Sequence, residues 1–361
     1  MAFQKDFNIR LSRRQFLVTA GASALGTVVL HDSQSPILAQ AQVQDEAALY
    51  AAAKKEGKIV YYMGYLTQDL LNDISTAFTK KYPGIEFEGT RKPAGPLFQQ
   101  LNQEMQAGVK NCDVFGTAEM GQMLQFQKQG KLLQYQPSSQ NNLRAVLRNL
   151  KSTFYQPGAL LPIIIGYNTK LLKPDAAPKS WKDLLNPKYK DQISIGSAAA
   201  SGQLGLWALI MSQKYGWDNY FNSFNQLNPK IGRSINDGAT DLISGERALG
   251  VVSLGQILAA KAKGNPVDVV YPSEGPVVAI GPVGILQDAP HPNAAKLLIN
   301  FIMSQEYSQL ATKYHEQPLS SDVKVKSGKP LEQMQTLMLA PEQLSAGIPQ
   351  IQRQWRDMFG A

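Results

Sequence analysis

A two-lobed α/β fold, each lobe a mixed and mostly parallel sheet flanked by helices, is what this sequence predicts. Three observations predict it. Between residues 58 and 126 the apolar pattern alternates as β-α-β-α-β-α. The alternation restarts at Leu160 and continues to Tyr271. A further apolar, β-like run from Val277 to Leu286 then returns before a last long helix, so that more than one strand crosses between the lobes. With 361 residues and 43% hydrophobic content, the chain has material for two such layers.

The elements follow in order. Lys58 to Met63 is β-branched and aromatic and ends at Gly64, which reads as a strand. A helix capped by Thr67 places Leu70, Leu71, Ile74, Ala77 and Phe78 on one face. Pro83-Gly84 turns into a second strand, Ile85 to Gly89, and Arg91 to Gly95 forms a loop before a helix marked by Leu97, Leu101 and Met105. Cys112 to Phe115 is a third strand, and Gly116-Thr117-Ala118 opens a helix through Met123 and Phe126. In the second half, Leu160 to Asn168, Gln192 to Gly196, Leu249 to Val252 and Val267 to Tyr271 read as strands. Helices are expected over Leu204 to Tyr215, from about Asp237, and as one long element from Pro292 to Tyr314.

Charge and cysteine content exclude several classes. Lys and Arg number 36 against 28 Asp and Glu, a formal net charge of +8. The clusters are short and far apart, such as Lys54-Lys55, Lys80-Lys81 and Lys188 with Lys190, and read as solvated helix faces. No basic arm, helix-turn-helix pattern or aromatic-studded basic strand is present, so no nucleic acid is expected as a partner. The single cysteine, Cys112, builds neither an intramolecular disulfide nor a multi-thiolate metal site. At the N-terminus, Ser12-Arg13-Arg14-Gln15-Phe16-Leu17 leads an apolar run to Leu30 and a small-x-small site at Ala39-Gln40-Ala41. This segment, residues 1–41, resembles a twin-arginine signal peptide, cut before Gln42. Removing it leaves a net charge of +6.

Motifs scattered along the remaining chain carry a second resemblance. They include Ala52-Ala53-Lys54-Lys55-Glu56-Gly57-Lys58, Gly166-Tyr167-Asn168-Thr169-Lys170-Leu171, and Pro178-Lys179-Ser180-Trp181-Lys182-Asp183-Leu184-Leu185 with Asn186-Pro187. Gly245-Glu246, Pro272-Ser273-Glu274-Gly275 and Pro290-His291-Pro292-Asn293 follow in the same order. Over residues 48 to 325 the chain resembles the substrate-binding proteins of bacterial ABC importers, in the branch that includes ferric-iron, hexose-phosphate, phosphonate and thiamine binders. The resemblance implies a type II periplasmic-binding-protein fold with a ligand cleft between its lobes. Lobe 1 is expected over 42–162 plus 277–325, and lobe 2 over 163–276 plus 326–361. It also implies a periplasmic, monomeric protein whose partners are a small-molecule ligand, an inner-membrane permease with its ATPase and, during export, the twin-arginine translocase. No cofactor is implied.

In such an architecture the binding residues lie on loops at strand ends, where helix N-termini leave N–H groups that favour an anion. Those loops supply Tyr65, Thr67, Arg91, Gly95, Thr117, Ser201, Gly202, Ser234, Ser253, Tyr271 and Glu274 as candidate ligand contacts. Ferric binders of the resembled branch place a tandem Tyr-Tyr shortly after the Gly-Glu element. Here Ala248 to Gly255 contains no tyrosine, and Tyr61-Tyr62 lies in a strand whose neighbours face opposite ways. An anionic organic solute therefore ranks first, with Arg91 as bidentate partner and Arg233 as a second candidate. A cation such as thiamine or a polyamine, served by Glu274, Tyr65 and Tyr271, ranks second and iron third. The sequence holds no phosphate-binding Gly-rich Lys loop, no His-Glu-x-x-His pair and no Gly-x-Ser-x-Gly elbow, so capture by lobe closure about Pro162 and Gly281 is expected, not catalysis.

Overall fold

The computed structural model describes residues 45–360, apart from 138–141, 149 and 151. The expected signal segment lies outside the described residues. The first helix, α1 (Glu46–Glu56), is capped by Asp45 and closed by Gly57 at φ 73°, a left-handed position that glycine takes without penalty. The chain then lays down β1 (Lys58–Gly64), α2 (Gln68–Lys81), β2 (Glu86–Arg91), α3 (Ala94–Gln106), β3 (Val114–Thr117) and α4 (Met120–Lys128). β1 pairs in parallel with β2 on one side and β3 on the other. Thr67 caps α2 as the sequence predicts, and Leu70, Leu71, Ile74 and Phe78 form its buried face. Strand alternation sends Tyr61 and Tyr62 into different core clusters.

A long strand, β4 (Gln156–Asn168), carries the chain into the second half: β5 (Ile193–Gly196), α5 (Gly202–Tyr215), α6 (Trp217–Gln226), β6 (Lys230–Gly232), α7 (Ile235–Ser244), β7 (Leu249–Ser253), α8 (Leu254–Ala262) and β8 (Val267–Val270). β5 pairs in parallel with β6 and β7. The return strand, β9 (Val277–Ile285), runs antiparallel to β3 at one end and to β4 over most of its length, while the far half of β4 pairs with β7 and β8. The strand order is β2-β1-β3-β9-β4-β7-β5-β6, with β8 beside β4. Two parallel sets are thus tied together by β4 and β9, the two crossing strands.

Three expectations need correction. β4 begins at Gln156, four residues before the expected start, because a register irregularity between Pro157 and Ala159 lets a proline sit in the pairing. The long helix expected from Pro292 is two, α9 (Pro292–Ile302) and α10 (Gln305–Lys313). Ser304 divides them, its hydroxyl accepting from Tyr307 N at 3.2 Å as a new N-cap. Arg91 closes β2 and Gly95 lies within α3, so the loop between them is shorter than expected. A terminal helix, α11 (Pro341–Phe359), buries Ile351 and Trp355 and packs on both α4 and α5. His291 precedes α9 and bonds the buried Asp113 through both its backbone N and Nδ1.

Candidate functional site in the cleft between the lobes

On the first lobe the site is built where β1 and β3 end. Tyr65, directly after Gly64, is buried, and its ring occupies space that a side chain at Gly116 or Gly158 would need. A Cβ at Gly281 would touch the same ring at 3.4 Å. The Tyr65 hydroxyl meets that of Tyr61 at 2.6 Å, and Tyr307 of α10 donates to Gly158 O at 2.6 Å. Burial raises all three phenols well above their ordinary range. Arg91 is half-buried and donates from Nε to Leu66 O at 3.1 Å. Among the described residues no carboxylate pairs with it.

On the second lobe β5, β6 and β7 end together and lead into α5, α7 and α8, whose N-termini are the expected anion sites. Each already faces a carboxylate of this chain. Glu119, at the start of α4 on the first lobe, reaches across to accept from Gly202 N–H at the start of α5. Its burial raises the carboxyl above the ordinary range, against the opposing bonds from Gly202 and from Gln122 Nε2 at 3.1 Å. Asp237 closes the capping box of α7 with Ser234, accepting from Arg233 N at 2.6 Å and Ser234 N at 3.0 Å. Glu316, beyond α10, lies against α8: a Cβ at Gly255 would stand 2.5 Å from its Oε1 and 2.8 Å from its Oε2. The stem of Glu316 keeps some exposure, but its Oε2 is enclosed without a hydrogen-bond partner among the described residues. Desolvation pushes its carboxyl up to about 8.

The candidates named from sequence divide accordingly. Tyr65 follows β1 and Arg91 closes β2, while Ser201 and Gly202 begin α5, Ser234 precedes α7 and Ser253 closes β7. Ser201 and Ser253 start α5 and α8 without a side-chain cap bond, so their hydroxyls are uncommitted to the cap. Thr117 is buried and spent locally, donating to Gln122 Oε1 at 2.6 Å and accepting from Glu119 N at 3.1 Å. Thr67 is spent as the α2 cap, and Gly95 faces open space. Glu274 and Tyr271 are placed elsewhere. Glu274 accepts from Tyr215 at the far end of α5, a 14-residue helix, about 20 Å along its axis from Gly202. Its other oxygen accepts from Trp181 N at 3.1 Å, and these bonds hold its carboxyl below the ordinary range despite the opposing pull of desolvation. Tyr271 accepts from Lys329 N and packs under the Lys329 ammonium.

Sequence reasoning missed Glu119, Tyr307 and Glu316. Glu119 was within reach, being two residues past the end of the third strand. Tyr307 and Glu316 carry no local signal, since their segment reaches β4 through contacts distant in sequence, the Tyr307 bond to Gly158 O and the pairing of Gln317 with Leu160.

Two parallel sets of strands joined by paired crossing strands, with helices beginning at the strand ends, define a two-lobed α/β fold. The chain belongs to the bacterial extracellular solute-binding proteins, whose family description matches residues 46–309. It is similar to the spermidine/putrescine-binding periplasmic protein of Escherichia coli, 28% identical over 152 residues, which span 40% of this chain and 43% of that protein. Iron-bound HitA from Pseudomonas aeruginosa shares the fold at 18% identity with a TM-score of 0.71, over 82% of this chain and 99% of that one. AfuA from Actinobacillus pleuropneumoniae, solved with fructose-6-phosphate, does so at 22% identity with a TM-score of 0.73, over 84% and 99%.

Proposed function

We propose that this protein is the periplasmic solute-binding component of an ABC importer and captures a small organic solute bearing at least one amino group. One observation carries the choice of ligand: the three helix N-termini of the second lobe each face a carboxylate, from Glu119, Asp237 and Glu316. An anion seated there would meet carboxyl oxygens where unpaired N–H groups were expected, whereas an ammonium finds acceptors. The polyamine named for the Escherichia coli relative agrees with this reading.

A solute with an anionic group is the second reading, favoured by Arg91, half-buried without a carboxylate, and by the uncommitted hydroxyls of Ser201 and Ser253. A zwitterion satisfies both. A ferric ion suits the cleft less well. No group of three or more His, Cys, Asp or Glu that would hold a metal occurs among the described residues, and the buried phenols of Tyr61, Tyr65 and Tyr307 are held protonated.

In this account lobe 1 comprises 42–162 with 277–325, lobe 2 comprises 163–276 with 326–361, and they rotate about β4 and β9 near Pro162 and Gly281. Export removes residues 1–41. Binding is stoichiometric, without turnover, and the closed form docks on the permease, whose ATPase is a separate chain. Native mass spectrometry of the protein taken from its own periplasm tests the ligand class. A bound mass matching an amine is the expected result. A reddish protein with an iron–tyrosinate absorption band, or a bound ligand without an amino group, would contradict the proposal.

A further inference from the structure

We infer that the carboxylate of Glu316, assisted by the side-chain amide of Gln256, is the subsite that holds the ammonium group of the solute. The inference rests on the proposed reading and names the atoms that would recognise the amine. Glu316 Oε2 and Gln256 Oε1 are both solvent-inaccessible acceptors with no hydrogen-bond partner among the described residues. Glu316 lies directly against Gly255, the residue before Gln256 in α8, in space that only a glycine leaves free. An enclosed carboxyl oxygen without a donor is costly and calls for a partner.

The location fits a ligand contact. Ser253 pairs with Ile163 of β4, and Gln317 bridges Leu160 on the same strand, so Glu316 and the start of α8 meet beside a crossing strand. An ammonium supplies what the two oxygens lack: three donors on a compact cation. Tyr307, whose ionisation is opposed by Glu316, is kept neutral by burial and adds no negative charge beside it.

Titration calorimetry with purified mature protein tests the assignment, using putrescine and 2-aminoethylphosphonate against their amine-free analogues 1,4-butanediol and ethylphosphonate. Wild type should bind at least one amine and prefer it to its analogue. Glu316→Gln should weaken that binding roughly 100-fold, because it removes one charge of an enclosed pair, while leaving the ligand-free protein folded by circular dichroism. Gln256→Ala, on a partly exposed residue, should weaken it by roughly threefold to tenfold through loss of one neutral hydrogen bond. If wild type binds an amine and both variants bind it equally well, the subsite is refuted while the proposed function stands. If wild type binds none of the amines, or binds the analogues as tightly, the proposed ligand class fails and the subsite with it.

Discussion

At the scale of single residues the cleft is governed by desolvation. Glu316 has a carboxyl pushed up to about 8 because burial penalises its charged form. The sign of the consequence is fixed. Between the ordinary carboxyl range and pH 8 the folded protein holds a proton there that the unfolded chain has released, so stability falls as pH rises through that window. Thermal melts of the ligand-free protein should therefore show destabilisation on the order of a few kcal/mol between pH 5 and pH 8. Glu316→Gln should remove most of that slope and melt higher than wild type at pH 8. A variant with an unchanged slope would mean that Glu316 is already charged and solvated at neutral pH. Residue chemistry of this kind was only partly legible in the sequence. Tyr65 and Arg91 stand at the ends of recognisable strands, whereas Glu316 lies in no motif and its segment reaches β4 through contacts distant in sequence, the pairing of Gln317 with Leu160 among them.

At the scale of elements the sequence was most informative where one face of a helix or strand is buried. The β-α-β-α-β-α run of the first lobe follows from its apolar periodicity, and the Thr67 cap of α2 from its position before Leu70 and Leu71. The misplaced boundaries share a cause, since side-chain capping and local irregularity decide where an element stops. Ser304 splits α9 from α10 by capping the second, although the apolar pattern continues through both. The same reasoning gives a test at α7, where Asp237 satisfies the first N–H groups from within the chain. Asp237→Ala should cost about 1 kcal/mol, the usual worth of a cap, and lower the melting temperature by a few degrees. Its effect on amine affinity should stay within about twofold, given that the lost bonds are internal to the helix start. A loss above about tenfold would place the α7 N-terminus in direct contact with the solute.

At the scale of the whole molecule, contacts besides the crossing strands reach from lobe to lobe, that of Glu316 with Gly255 among them. Glu119 of the first lobe accepts from the N-terminus of α5, and α11 packs on α4 and α5 together. Both favour the closed arrangement, and both can yield because neither belongs to the sheet. The crossing strands, in contrast, carry continuous pairing from Gln156 to Asn168 on β4 and act as the fixed axis. Capture then follows from geometry: an amine seated against Glu316 draws the carboxyl into its ionised form and supplies the donor that its enclosed oxygen lacks, and the closed form gains that pairing in stability. Small-angle X-ray scattering of the mature protein, without and with a saturating amine, tests this account most directly. The account predicts a measurable fall in the radius of gyration on binding, to the value of the closed arrangement described above. An unchanged radius of gyration with the amine demonstrably bound would contradict it.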